Sequence, residues 1–165
     1  MEQSAGWDAI QGALEGLYPG QEPLHYGTVI KHRLGGPDPL DGVSIYRAEQ
    51  PEPHWHYVSF GFSELYEKES ENTEWSGFGF EMTFRLKRTS DEPPIWPVGL
   101  MQNLARYVFN SGNVFHNGDY IDLNGPMALE EETRLTAAAF TPDPDLPDPL
   151  ETPHGKLQFR QLVGL

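Results

Sequence analysis

The feature that most constrains this chain is a strict alternation of side-chain character over residues 77–87, GFGFEMTFRLK. Every second residue is large and apolar; these are Phe78, Phe80, Met82, Phe84 and Leu86. Successive side chains of a strand point to opposite faces, so the pattern predicts a β-strand with one apolar and one polar face. Burying each large apolar side chain contributes roughly 1.5–3 kcal/mol. We therefore expect Phe80 and Phe84 in the core and Glu81 on a solvated face.

Two glycines, Gly77 and Gly79, lie on the polar side of this strand. Glycine weakens a strand, so its presence predicts a bulge or a neighbour packed closely against the backbone. A phosphate-binding loop would need a strand before the glycines and a helix after them. Here the glycines open a strand, and we predict a core strand.

Length and charge limit the classes of function. The 165 residues suit one domain, and we expect residues 1–165 to form it. Eleven Lys and Arg against 25 Asp and Glu give a net charge of −14, which disfavours nucleic acid and anionic membrane as partners. Such a charge favours a basic partner, or simply solubility. The chain has no cysteine, and its N-terminus has no signal-peptide pattern, so we expect a soluble, cytoplasmic protein.

Periodicity and turn residues outline the secondary structure. Helical spacing predicts two helices, over residues 6–18 and 97–110, the second beginning at Pro97 and ending before Gly112. Alternation predicts seven strands, at residues 24–34, 43–47, 54–60, 77–87, 119–123, 135–140 and 157–163. Residues 35–42, 117–118 and 124–126 are predicted turns, and 141–149 an extended loop. The fold class is α+β: a mixed, largely antiparallel sheet flanked by two main helices.

Two groups of residues suggest chemistry. His54 and His56 share one side of a strand, as two ligands of a metal site would, but spacing places no third ligand among His25, His32 and His116. The alternative interpretation is a pair of ordinary histidines on a sheet face.

Acid and base groups also cluster near one turn. His116, Asp119 and Asp122 lie within seven residues, a clustering found both among the acid and base groups of hydrolases and among solvated turn residues. Residues 61–65, GFSEL, lack the second glycine of a nucleophile elbow. We therefore predict no catalytic residue, cofactor or metal ion, with a metal-dependent or hydrolytic enzyme using the histidines and Asp119 as the alternative.

Several longer runs carry a family resemblance. They are residues 34–41, LGGPDPLD; 54–61, HWHYVSFG; 76–81 with 85–88; 104–109, LARYVF; 152–155; and 161–164, QLVG. Together they resemble the N-terminal domain of the Suppressor of fused family, from the first helix to the last residue. The resemblance implies a non-enzymatic binding domain.

The family suggests two kinds of partner. Animal members restrain Hedgehog signalling by sequestering Gli-type transcription factors, whose peptide lies as an added strand between two domains. This chain stops where the first domain ends, so we do not expect that function to transfer. For stand-alone bacterial members the implied role is immunity, by binding and neutralising a polymorphic toxin. The net charge of −14 suits a basic toxin such as a nuclease.

The resemblance also implies site residues. It carries two peptide-contacting positions onto Tyr107 and Asp119, and Tyr120 and Ile121 follow in the predicted strand. An edge strand there would accept a partner segment by β-augmentation. Asp119 would select a cationic or histidine-bearing segment, beside which Tyr107 would pack. The alternative is that Tyr107 belongs to the helix core and Asp119 to a turn.

Overall fold

The computed structural model describes residues 4–27, 38–122 and 137–164. It has two helices, α1 (Ala5–Leu17) and α2 (Trp96–Ser111). The eight strands are β1 (Leu24–Gly27), β2 (Gly42–Ala48), β3 (His54–Phe60), β4 (Trp75–Lys87), β5 (Tyr120–Asp122), β6 (Ala137–Pro142), β7 (Leu150–Thr152) and β8 (Gly155–Gly164).

The strands form one sheet in the order β1-β2-β3-β4-β8-β6-β5, and β7 pairs separately with β8. All pairings are antiparallel except β4 with β8, which is parallel. The predicted α+β class, with a mixed, largely antiparallel sheet and two main helices, is confirmed. The parallel pair was not predicted, because it joins strands separated by α2, β5, β6 and β7.

The helices cover opposite faces of the sheet. In α1, Ile10 and Leu14 are spaced four residues apart and are fully buried. In α2, Pro97 occupies the first turn, as predicted, and Gly112 ends the helix in the left-handed conformation, with φ of 77°. A buried stripe runs between these ends: Leu100, Met101, Leu104, Ala105 and Val108.

Each helix packs on its own apolar core. The α2 core contains Phe80, Met82 and Phe84, as predicted for the apolar face of β4. The α1 core brings Ile10 and Leu14 of the helix against the other face of the sheet. Both faces of the sheet are therefore covered.

The prediction that Glu81 is solvated is wrong. The Glu81 side chain is 0% exposed. Its carboxylate accepts hydrogen bonds from the hydroxyls of Ser59 (2.7 Å) and Ser63 (2.5 Å). It also accepts from the backbone N–H groups of Gly61 (3.2 Å), Phe62 (3.3 Å) and Ser63 (2.9 Å). Burial raises the pKa of Glu81 to about 7, although these donors oppose the rise.

The glycines of β4 mark both a bulge and a close approach. The register with β8 shifts between Trp75 and Phe80, across Gly77 and Gly79. Both glycines have positive φ, of 54° and 81°. A Cβ at Gly77 would lie 2.8 Å from the backbone oxygen of Phe62. The bulge predicted from these two glycines is confirmed.

The remaining strand predictions agree where the structure describes them. The strand predicted at 24–34 begins as β1, and its later part, with the first three residues of the 35–42 turn, lies outside the described residues. The same holds for the 124–126 break and for the first residues of the strand predicted at 135–140, whose described part is β6. The three-residue strand β7 was not predicted; it forms a hairpin with β8.

Candidate functional site

The short strand β5 is the last strand of the sheet on one side. Tyr120 pairs with Ala139 and Ile121 with Ala138 of β6, in antiparallel register. Within the described ranges, β6 is the only strand that pairs with β5, so the opposite edge of β5 has no neighbouring strand. Its outward backbone groups therefore have the geometry that an added strand requires.

A tight turn brings the chain into β5. Gly118 has φ of 94°, which glycine adopts without strain. Its N–H donates to the Phe140 oxygen at 2.8 Å, and the Phe140 N–H donates to the Asp119 oxygen at 2.9 Å. The turn predicted at residues 117–118 is present, and these bonds fix Asp119 beside β6.

Tyr107 lies on the last turns of α2 with 39% of its surface exposed. Its ring stacks on that of Phe115, with centroids 5.6 Å apart and planes at 24°. Phe115 in turn stacks on Phe140, at 4.5 Å and 13°. Tyr107 is thus connected to the core through an aromatic stack and still presents part of its ring to solvent.

These elements enclose a groove of about 550 Å³, which we call the β5 groove. Its lining is Tyr107, Val114, Phe115, Gly118, Asp119, Tyr120 and Ile121. All four residues predicted to bind a partner line this one groove. Tyr120 is 75% exposed, whereas Ile121 is 8% exposed and belongs to the α2 core. The alternation of the strand places Tyr120 at the surface and anchors Ile121.

Asp119 has the geometry of a turn residue at a half-exposed position. Its Oδ2 accepts the backbone N–H of His116 at 2.8 Å, and Nδ1 of the His116 ring is 3.6 Å away. The two side chains are 49% and 67% exposed. The carboxylate therefore closes its own turn and also presents negative charge to the groove.

Sequence reasoning missed Arg160, which supports the groove from behind. This β8 residue is 8% exposed, and its guanidinium lies 5.0 Å above the ring of Phe80. Its Nη1 donates to the backbone oxygen of Phe115 at 2.5 Å. Burial lowers the pKa of Arg160, and the charge of Asp119 opposes that shift. No sequence signal separated it from the other residues of an alternating strand.

The histidines of β3 share one side of the strand, as predicted, but both rings are engaged. Nδ1 of His56 lies 2.7 Å from the Tyr18 hydroxyl, and Nε2 lies 2.9 Å from Oδ2 of Asp143. His54 contacts the backbone oxygen of Glu52 at 2.8 Å and Nη1 of Arg85 at 2.9 Å.

The other candidate metal ligands are dispersed. His25 contacts Ser44 at 2.8 Å on β2, and His116 lies at the β5 turn. His32 lies outside the described residues. Across ranges 4–27, 38–122 and 137–164, no group of three or more His, Cys, Asp or Glu converges as metal ligands would.

Asp143 organises a buried polar network beneath α1. Its carboxylate accepts from Thr83 Oγ1 at 2.7 Å and from Arg85 Nη2 at 2.9 Å, in addition to His56. Burial alone would raise the pKa of Asp143, but the bond from His56 and the other donors hold it well below its ordinary value. Burial lowers the pKa of His56 and raises that of Tyr18 to about 12.

These directions assign the protons of the network. A neutral His56 donates a hydrogen bond from Nε2 to the ionised Asp143. Its Nδ1 accepts a hydrogen bond from the Tyr18 hydroxyl. Every ring nitrogen then has a partner, so the arrangement fastens the end of α1 to the sheet.

Neither described helix has the length and apolar composition needed to cross a membrane.

Comparisons with known proteins point to one family. The family model described as "Suppressor of fused protein (SUFU)" matches residues 36–165. The chain is 48% identical to the Suppressor of fused homologs of Homo sapiens and Mus musculus, over 97% of its own length. It spans 35% of the length of these two relatives.

Solved structures show the same similarity in three dimensions. A crystal structure of a Sufu–Fu complex superimposes with a TM-score of 0.89 at 35% identity, covering 99% of this chain and 77% of the other. A crystal structure of Drosophila Suppressor of Fused gives 0.88 at 35% identity, covering 100% of this chain and 43% of the other.

Proposed function

This chain belongs to the Suppressor of fused family, and from that premise we propose that it is a non-enzymatic protein-binding domain that uses the β5 groove. The observation that carries the proposal is the convergence of Tyr107, Asp119, Tyr120 and Ile121 on one groove beside an outer strand. The similarity to a structure of a Sufu–Fu complex supports a protein as the partner.

In this proposal a partner segment joins the sheet along β5. Backbone hydrogen bonds to the outer side of Tyr120–Asp122 supply affinity with little dependence on sequence. The exposed rings of Tyr107 and Tyr120 supply apolar contact area on either side of the segment. The half-exposed carboxylate of Asp119 selects a lysine, arginine or protonated histidine.

The partner in this proposal has a basic surface, because the chain carries a net charge of −14. A basic toxin such as a nuclease fits that requirement, and binding it would make this chain an immunity protein. In this proposal the binding takes place in the cytoplasm. We also propose that residues 1–165 fold as a single domain.

The test is selection of binding peptides from a displayed random library, followed by calorimetry on the selected peptides. We expect apolar segments with a basic residue, whose affinity falls roughly tenfold or more for Tyr107→Ala and for Asp119→Asn. Asp91→Asn is the matched control, since Asp91 is an exposed carboxylate on a distant loop.

Equal affinity of the selected peptides for wild type and both groove variants would contradict the proposal.

The enzyme alternative is tested by a separate assay of bound metal. Stoichiometric zinc or iron in the purified protein would support it, although the engaged rings of His54 and His56 argue against that site.

A further inference from the structure

A second concave surface lies beside the end of α2 and away from β5. It has a volume of about 390 Å³, and its apolar lining, the floor, includes the partly buried Phe78 and Phe109 together with Phe62, which is only 1% exposed. The rings of Phe78 and Phe109 meet edge to face, with centroids 4.9 Å apart at 68°. Phe62 stacks on Phe80 of the core at 4.5 Å, so the floor rests on fixed side chains. We call this surface the aromatic-acidic pocket.

Its rim is acidic. Glu64, Glu67 and Glu69 line the pocket, all from the segment between β3 and β4. Glu64 accepts from Lys68 Nζ and from the Gly77 N–H, both at 2.8 Å. Burial alone would raise the pKa of Glu64, but these donors lower it to about 2. Glu64 is therefore ionised and structurally fixed.

Two further carboxylates of the rim face solvent. Glu67 and Glu69 are exposed, and neither forms an ion pair with any residue in the described ranges. Both side chains are therefore accessible to a ligand. The pocket thus combines a rigid apolar floor with uncompensated negative charge at its edge.

The wall between floor and rim is preorganised. Residues 61–63 are held by Glu81, which accepts all three of their backbone N–H groups. The Phe78 N–H donates to the Phe62 oxygen at 3.0 Å and ties this wall to β4. Binding of a ligand would therefore cost little conformational entropy in the surrounding protein.

From this combination we infer that the aromatic-acidic pocket is a docking site for an arginine side chain of a partner protein. An arginine has an apolar stem, and its planar guanidinium stacks on aromatic rings and pairs with carboxylates. An anion would be repelled by the rim. A purely apolar side chain would gain nothing from the carboxylates of Glu67 and Glu69, and a lysine would stack less well.

The inference does not rest on the β5 groove. Tyr107 and Phe109 are two positions apart on α2, and at about 100° per residue their side chains diverge by about 200°. Tyr107 lines the β5 groove, and Phe109 lines the aromatic-acidic pocket. The two surfaces can be tested separately.

The experiment is a two-dimensional amide NMR titration of the whole chain with N-acetyl-arginine methylamide. We expect saturable shifts confined to the backbone amides of the residues that line the pocket, namely Asp41, residues 61–67, 69–70 and 77–78, and Phe109. The corresponding lysine and norleucine compounds are the comparison probes, and we expect lysine to bind more weakly and norleucine to produce no saturable shift.

Matched variants distinguish specific binding in the pocket from nonspecific attraction to the acidic surface. Glu67→Gln with Glu69→Gln should weaken arginine binding roughly threefold or more. Asp91→Asn with Glu92→Gln removes the same charge from another exposed loop and should leave binding unchanged. Shifts that spread over the acidic surface without saturating, or equal losses in both double variants, would overturn the inference. Equal binding of norleucine and arginine would do the same.

Discussion

On one face of β4, Phe80, Met82 and Phe84 contact the apolar side chains of α2. On the other face, Glu81 and Thr83 lie beneath the side of the sheet that α1 covers, and both are 0% exposed. The same strand is therefore buried twice, once by apolar packing and once by hydrogen bonding. These two kinds of burial respond differently to substitution.

Apolar burial is roughly additive in area and has little directional preference. Polar burial depends on each partner, because a buried donor or acceptor that loses its partner keeps the cost of its desolvation. Two carboxylates on this face show the range. Asp143, paired with Arg85 and His56, has a lowered pKa, whereas Glu81, held by neutral donors, has a raised one.

The largest effect is expected on the apolar face. Phe80→Ala should destabilise the protein by about 3–5 kcal/mol, because it removes a fully buried ring and leaves a cavity beside Phe62. Urea unfolding followed by fluorescence measures the change, and one cooperative transition would support the proposed single domain.

The control for this prediction is Phe78→Ala, since Phe78 is only partly buried. It should cost distinctly less than Phe80→Ala. A midpoint for Phe80→Ala equal to that of wild type would show that the apolar face contributes less than its burial implies.

The second prediction concerns pH and the polar face. The pKa of Glu81 is about 7 in the folded protein, against an ordinary value of 4.5. Its native state therefore binds the proton more tightly than its unfolded state. The stabilisation from protonated Glu81 is complete below pH 4.5, falls as pH rises towards 7, and is lost above it. The full difference is about 3 kcal/mol.

Glu81→Gln isolates this effect, because glutamine has nearly the same shape and does not titrate. The difference in unfolding free energy between wild type and Glu81→Gln should move in favour of glutamine between pH 5 and pH 8. Taking the difference cancels the contributions of other titrating groups. Asp143 is one of them: its pKa is lowered in the folded protein, so the stability that it contributes is lost at low pH rather than at high pH. A difference that is constant with pH would contradict the raised pKa.

These contrasts show what the sequence could predict. Local periodicity located the helices and most strands, because each has several residues in a repeating pattern. Alternation gave the direction of the Glu81 side chain but not what covers it, since its donors come from residues 59–63. In the loop 141–149, Asp143, Asp145 and Asp148 look equivalent, yet only Asp143 is buried.

The candidate site likewise has some features that the sequence predicts and others that depend on tertiary contacts. Tyr107 and Asp119 were predicted from resemblance, and the strand after Asp119 from its turn signal. Arg160 and the stacking of Tyr107 on Phe115 depend on contacts between distant segments. The aromatic-acidic pocket likewise needs β4, α2 and residues 61–69 together, so no single stretch of sequence indicates it.

The smallest effect is expected from a single hydroxyl of the polar face. Thr83→Val removes the bond from Oγ1 to Asp143, while Arg85 and His56 continue to donate to the same carboxylate. Because the carboxylate keeps these two donors and the backbone N–H of Asp145, the cost should be about 1 kcal/mol, well below that of Phe80→Ala. Repeating Thr83→Val in an Asp143→Asn background completes a double-mutant cycle. If the hydrogen bond to Asp143 accounts for the destabilisation, Thr83→Val should cost less in that background. An equal cost in both backgrounds would instead assign the destabilisation to packing of the added methyl group. Thr83 would then respond to substitution as the residues of the apolar face do.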